Sequence, residues 1–477
     1  MNFFLKKNLN IILLGIFIII NFYLNSYYSF IVEPYSLRGD ETQYLSLGIS
    51  IVTRGSYAPV ISDMYIEIDK PTAFRVPIYP VFLATIIKLL GFENIIYKVR
   101  FIQIILNIII ILLIYYLAFI LFEDKRISLI SALLGTFYQP FIFLSSFLTS
   151  DLLAIFLLLC SIISGLFIFK SKSYKKLYFY AFITGFFIAI ASLCRPNNFI
   201  LIFCFIFVFI NGFYSKKQIF KGFLILFVTV FSILSIWGVR NYYKIGKFIF
   251  LSSYIGTAIY KSNTLDLSPT GGTGGALPLI PSEINTNQIS RDKYMLDLGI
   301  KLITNNKELF LIKGFLKLKT FFSPHLKQEH TSKTGYYLLL IFPFGFFFSK
   351  RKILYIILSL ILYWAGIYLY SYPDYFSIFQ FIFTNVTFGF EQIYIFSLFS
   401  LFIFIKEIKK YKIVLSPIII LIMLFIVIAF ITVPKMRLRF AIDPFFIIFA
   451  AYGINLIYIK TFKSKKDTTP VNLSYDN

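Results

Sequence analysis

An all-α, polytopic membrane fold of about 12 transmembrane helices is what this sequence predicts, from three observations. First, 58% of the 477 residues are hydrophobic and mean hydropathy is +0.80. A soluble core of this length does not absorb that much apolar surface. Second, apolar runs near the ~20 residues a bilayer requires alternate with short basic clusters. Third, the net charge of +24 resides largely in those clusters. Lys placed between apolar runs reads as cytoplasmic loops rather than a nucleic-acid face. The three cysteines, Cys160, Cys194 and Cys204, all lie in apolar runs, so no disulfide framework is implied.

In chain order, Lys6-Lys7 precede an apolar run over 9–28 with no small-residue cleavage site, which predicts an anchor with its N-terminus inside. Residues 32–98 form a first outer loop. Within it Gly39 breaks the chain so that a short helix can begin, and Asp40 and Tyr44, four apart, share one helical face. Pro71, Pro77 and Pro80 punctuate the loop's second half, which suits a juxtamembrane helix lying at the interface.

Runs over 99–122 and 127–144 flank Glu123-Asp124-Lys125-Arg126, and runs over 148–169 and 177–193 flank a second basic turn ending Lys175-Lys176. Runs over 199–213 and 220–239 flank Lys216-Lys217. Later clusters are Lys350-Arg351-Lys352, the stretch 406–412 and the tail 460–466. Assigning every cluster to the cytoplasm places both termini inside. A large outer loop then spans 240–335. It is expected to open as Tyr-rich extended chain, to continue through a Gly-rich cover at 268–275, and to end in amphipathic surface helices over 291–322. The Gly-rich part lacks the Gly-Lys-Ser/Thr of a phosphate-binding loop. His325 and His330 are too loosely spaced, with no Cys nearby, to suggest a metal site.

This topology leaves charges on the cation-poor face: Asp40, Glu41 and Asp151, with Arg75, Arg195, Arg240, Arg437 and Arg439. Alone, an Asp-Glu pair suits the N-terminal turn of a helix, and a single Arg suits a snorkelling anchor. Ionisable residues near membrane depth cost about 2.5–3.5 kcal/mol on insertion scales, so eight at one face point to a site. An anionic ligand explains both signs, since guanidinium forks fit phosphate oxygens. A carboxylate at the mouth of such a site can act as general base.

Ordered pieces of the chain resemble the polyprenyl-phosphate-sugar-dependent glycosyltransferases of the GT-C fold. That superfamily includes the family 39 protein mannosyltransferases and the aminoarabinose transferases. Gly39-Asp40-Glu41 with Tyr44 resembles the Asp-Glu motif of their first outer loop, and 73–80 with Arg75 and Tyr79 is similar to an Arg-Pro-Pro-x-Tyr-Pro stretch, with Val76 in place of the first proline. Thr149-Ser150-Asp151 sits where an acidic residue opens the fourth span. Cys194-Arg195-Pro196-Asn197 resembles a Thr-Arg-Pro motif, and 237–248 a Pro-Trp-x-x-Arg-Asn-Tyr stretch. Residues 435–453 resemble an Arg-Tyr-Arg-x-Pro end, with Ala441 at the first proline position.

The resemblance implies a single GT-C-like domain over 1–477 in the plasma (inner) membrane, with its active site extracytoplasmic. It also implies transfer of a hexosyl or pentosyl group from a polyprenyl-phosphate-linked donor to a glycan, lipid or protein acceptor. Asp40 would be the base and Glu41 its rival. Tyr44, Arg75, Tyr79, Asp151, Arg195, Arg240, Arg437 and Arg439 would bind substrate. No cofactor is assigned, and a divalent metal is left open. A transporter or flippase would instead show two related halves with broken midplane helices. A polysaccharide polymerase or ligase would not need the Asp-Glu pair directly after the first span.

Overall fold

The computed structural model describes residues 2–33, 37, 39–61, 68–171, 173–210, 215–265, 281, 288–322, 393, 397, 415–432 and 436–459. Among them the secondary structure is helical, with no strand. The basic clusters at 350–352, 406–412 and 460–466, the histidines 325 and 330, and the Gly-rich stretch lie outside the described residues.

Among the described residues, five helices are long and apolar enough to cross a membrane: Leu9–Val32, Ile95–Phe122, Asp151–Lys170, Tyr174–Cys194 and Lys216–Ile245. They make the chain a multi-pass membrane protein. The first belongs to α1 (Asn2–Tyr27) and its π-helical extension Tyr28–Val32. The others are α4 (Ile95–Phe122), α7 (Asp151–Lys170), α8 (Tyr174–Cys194) and α10 (Lys216–Ile245). Between α1 and α4 stand two shorter helices, α2 (Asp40–Arg54) and α3 (Ile78–Leu90). The start of α2 follows Gly39 at φ 51°, and it ends at Gly55 at φ 60°, both left-handed positions that glycine takes without strain. Pro77 immediately precedes α3, where a missing N–H costs nothing.

The run expected over 127–144 is two helices, α5 (Lys125–Thr136) and α6 (Gln139–Ser146), broken at Phe137-Tyr138. Pro140 supplies the reason, because it has no N–H to give and its ring clashes with the carbonyl four residues back. The expected extended chain after Arg240 is also corrected. Arg240, Asn241, Tyr242 and Tyr243 are helical, and α10 stops only at Gly246, at φ 79°, whose N–H bonds the Tyr242 carbonyl. No glycine or proline interrupts residues 239–245. At about 1.5 Å per residue this helix exceeds the ~30 Å apolar thickness of a bilayer, so part of it stands in the headgroup region or beyond.

After α9 (Leu201–Ile210) and α10 come α11 (Ile255–Ser262), α12 (Gln288–Asn305) and α13 (Lys307–Phe321). The C-terminal part holds α14 (Leu415–Ile431), a helical turn Met436–Arg439, and α15 (Asp443–Tyr458). Buried apolar residues of α4, α5, α7, α8 and α15 form one continuous core.

Two contacts set the site's frame. At Gly48 of α2 an added Cβ would lie 2.9 Å from Leu83 Cβ of α3, so these helices touch nearly backbone to backbone. Along α1 and its π-helical extension, Asn21, Asn25 and Ser29 recur every fourth residue and are fully buried. Asn25 Oδ1 accepts from Asn107 Nδ2 at 2.8 Å and from Ser145 Oγ at 2.7 Å, and Asn21 Nδ2 donates to the Thr136 carbonyl at 3.1 Å. In lipid, where apolar contact alone is a weak glue, such bonds dock a helix.

Candidate functional site

Asp40 and Glu41 open α2, and one helical step turns them to different surroundings. Glu41 is buried, and its Oε1 accepts the Leu148 backbone N–H at 2.7 Å. Asp40 keeps 30% of its side chain exposed. Its Oδ1 accepts from Arg75 Nη2 at 2.6 Å and its Oδ2 from Arg437 Nη1 at 3.0 Å. Arg75 comes from the loop ahead of α3. It also donates Nε to Gln43 Oε1 at 2.8 Å, and its guanidinium sits 5.0 Å from the Tyr44 ring centroid.

Arg437 joins the two acids. Besides Asp40 it reaches Asp151, with Nε to Oδ2 at 3.0 Å and a second contact from Nη2. Asp151 is the first residue of α7, only 1% exposed, and its other oxygen pairs with Arg195 Nη1. Arg195 follows the last residue of α8. Because α7 and α8 are consecutive spans, the start of one and the end of the other share a membrane face. Five charged side chains from five segments of chain thus converge: Asp40, Arg75, Asp151, Arg195 and Arg437. Three guanidiniums against two carboxylates leave one positive charge in excess. Burial and the nearby Arg437 lower the Arg195 pKa to about 10. Burial also works against the charge on Arg75, but Tyr44 and Asp40 outweigh it and the net shift is upward.

Tyr44 and Tyr79 border the cluster. Their rings meet edge to face at 5.0 Å, the Tyr44 hydroxyl hydrogen-bonds Ser150 Oγ at 3.1 Å, and the Tyr79 hydroxyl donates to Gln103 Oε1 at 2.8 Å.

Arg240 and Arg439 are placed elsewhere. Arg240 donates to the carbonyls of Thr72 at 2.8 Å and Tyr57 at 2.9 Å, with its guanidinium 4.8 Å from the Trp237 ring. It braces the back of the loop that carries Arg75. Arg439, fully buried, donates Nε to Asp443 Oδ1 at 3.1 Å and Nη1 to the Phe321 carbonyl at 3.1 Å. Asp443 also accepts the Tyr138 hydroxyl at 2.6 Å. This buried trio anchors the same turn that presents Arg437.

Several supporting residues carry no sequence signal of their own. The Tyr57 hydroxyl donates to the Arg75 carbonyl at 3.0 Å, and Ser252 Oγ to the Phe74 carbonyl at 2.7 Å. Gln288, at the start of α12, accepts the Thr72 hydroxyl at 3.0 Å. Asp443 was more legible, as an acid one helical turn after Arg439. Among the described residues no three His, Cys, Asp or Glu gather to hold a metal, and the carboxylates of Asp40 and Asp151 are engaged by guanidiniums. The described donor set therefore does not fit a resident metal ion.

Residues 69–237 match the sequence model of the dolichyl-phosphate-mannose-protein mannosyltransferase family. That stretch includes Arg75, Asp151 and Arg195 but not Asp40 or Arg437. No curated protein sequence matches the chain significantly. Among solved structures, the Archaeoglobus fulgidus oligosaccharyltransferase tethered to an acceptor peptide superposes with a TM-score of 0.54 at 15% identity, over 96% of this chain and 50% of that one. The same enzyme in complex with Zn and sulfate gives 0.53 at 16% identity, over 94% and 49%. ArnT from Cupriavidus metallidurans in the apo state gives 0.38 at 9% identity, over 94% and 77%. The chain spans about half the length of the oligosaccharyltransferase structures it matches.

Proposed function

Starting from the GT-C fold, which this chain has, we propose that it is a membrane glycosyltransferase. It moves a sugar from a polyprenyl-phosphate donor to an acceptor at the extracytoplasmic face, with Asp40 as general base. The observation that carries this reading is the convergence of Arg75, Arg195 and Arg437 around Asp40 and Asp151, with one positive charge in excess. A partly open cluster of that kind favours an anion, and the forks of three arginines suit phosphate oxygens.

The donor phosphate would lie among these guanidiniums, which stabilise the charge left on it as the sugar–phosphate bond breaks. Asp40, the more exposed carboxylate, takes the proton from the acceptor hydroxyl or amine as that atom attacks the anomeric carbon. Asp151 holds Arg195 and Arg437 in place. Glu41 is committed to the Leu148 N–H and serves the loop ahead of α7.

A radiolabelled sugar-transfer assay on purified protein tests the assignment. The Asp40→Asn variant should lose about 10²-fold or more of its turnover, the usual scale of positioned proton transfer. Full activity in that variant overturns Asp40 as the base. The donor itself is identified by comparing lipid-linked sugars in membranes with and without the protein, because an unused donor accumulates.

A further inference from the structure

Asp40 has its two oxygens on two different arginines, Arg75 at 2.6 Å and Arg437 at 3.0 Å. These are also the groups that would bind the leaving phosphate. A base so engaged is held as an anion, and arginines so engaged are partly neutralised. The two demands conflict unless both partnerships change in the same step.

The charges indicate how they change. Among the described residues, Asp40 meets Arg75 from the loop before α3 and Arg437 from the 436–439 turn; Asp151 lies beyond Arg437, Arg195 beyond Asp151, and the Tyr44 ring lies against Arg75. Glu41 is buried away on the Leu148 N–H. The single excess positive charge balances a phosphodiester, which is the form of a sugar linked through one phosphate to a lipid. In the transfer, the acceptor oxygen bonds to the anomeric carbon and that carbon's bond to the phosphate oxygen breaks with its electron pair. The acceptor's proton goes to Asp40. The phosphate gains one negative charge, and Asp40 loses one.

We propose that Arg75 and Arg437 are handed from the Asp40 carboxylate to the departing phosphate in that step, so that proton transfer and leaving-group departure are one charge-neutral exchange within the cluster. This rests on the glycosyl-transfer reading above and on its monophosphate-linked donor. The exchange also makes product binding and Asp40 protonation reciprocal, as any two linked equilibria must be.

The test is calorimetric binding of undecaprenyl phosphate to the full chain in nanodiscs at about pH 8. There a phosphomonoester with a second pKa near 6 is already dianionic, so proton uptake reports the protein. Repeating the titration in two buffers of different ionisation enthalpy counts the protons. Wild type should take up between about half a proton and one on binding. Asp40→Asn, which mimics the protonated base, should take up none and bind about tenfold more tightly, within the usual span of coupled binding. Asp151→Asn should keep the uptake, because Asp151 is not the proton acceptor.

Equal uptake in wild type and Asp40→Asn, or unchanged or weaker binding in Asp40→Asn, overturns the exchange while leaving the donor site standing. No binding by folded wild type overturns the donor reading itself. If Asp40→Asn does not fold, the wild-type count decides, and an uptake of zero sinks the exchange.

Discussion

At the residue scale, side chains one or two positions apart have been given opposite tasks twice. Asp40 faces the arginines while Glu41 caps the Leu148 N–H. Arg437 faces the acids while Arg439, two residues on in the same helical turn, is buried against Asp443. The second pair makes a prediction about stability. Arg439 and Asp443 are 1% and 0% exposed, so Arg439→Met leaves a buried carboxylate that, among the described residues, keeps the Tyr138 hydroxyl as its side-chain partner. We expect a loss of about 3–5 kcal/mol, read as a lowered thermal unfolding temperature, and partial recovery in Arg439→Met/Asp443→Leu. An Arg439→Met protein as stable as wild type refutes the anchor. Arg75→Lys is a second case. It keeps the charge but loses the fork shared between Asp40 and Gln43, so undecaprenyl phosphate affinity should drop several-fold while the protein still folds. Unchanged affinity in Arg75→Ala would remove Arg75 from the anion site.

At the element scale, the spacing of Asp40 and Arg75 is set by the crossing of α2 and α3. Gly48 lies at that crossing, with Pro80 O at 3.4 Å and Leu83 Cβ at 2.9 Å from a would-be Cβ. Gly48→Val should push the helices apart, cost about 1–3 kcal/mol as overpacking does, and lower transfer by shifting one partner of the ion pair against the other. Wild-type turnover and stability in that variant would show that the crossing does not govern the site. The seam on α1 permits a similar measurement. Asn25→Leu removes the acceptor shared by Asn107 and Ser145, and about 0.6–2 kcal/mol should be lost. A stability equal to wild type would mean that α1 docks by shape alone.

At the scale of the whole molecule, the excess of Lys in the loops supports the proposal that the clustered arginines lie on the outer face. Lys247 and Lys175 are both exposed, just beyond α10 and inside the start of α8. A cysteine at 247 should react with an impermeant maleimide added to intact cells, and one at 175 should not. Native Cys194 and Cys204 are buried and Cys160 lies within a span, so background labelling should be low. The reverse pattern would turn the molecule over and move the proposed site to the cytoplasm.

Hydropathy by itself determined that the chain crosses the membrane repeatedly, and it located α4, α7 and α8 to within a few residues, while α10 runs on from the expected end at 239 to Ile245. A helix in lipid must satisfy its own backbone, so an apolar run has one structure open to it. Local sequence also marked Gly39 as the start of α2 and singled out the charges that are rare at membrane depth. Only the tertiary structure decided which of those charges meet. Asp40 and Arg437 are separated by nearly the whole chain; Asp443 one helical turn on hints at a partner for Arg439, but nothing local says that Arg437 meets Asp40 or separates Asp40 from Glu41. Their directions depend on how the 436–439 turn packs under Phe321 and Tyr138, and on where the Leu148 N–H falls beside α2. Side-chain pairing across a membrane protein is a property of packed helices, and helix packing is not written in the pattern of any one of them.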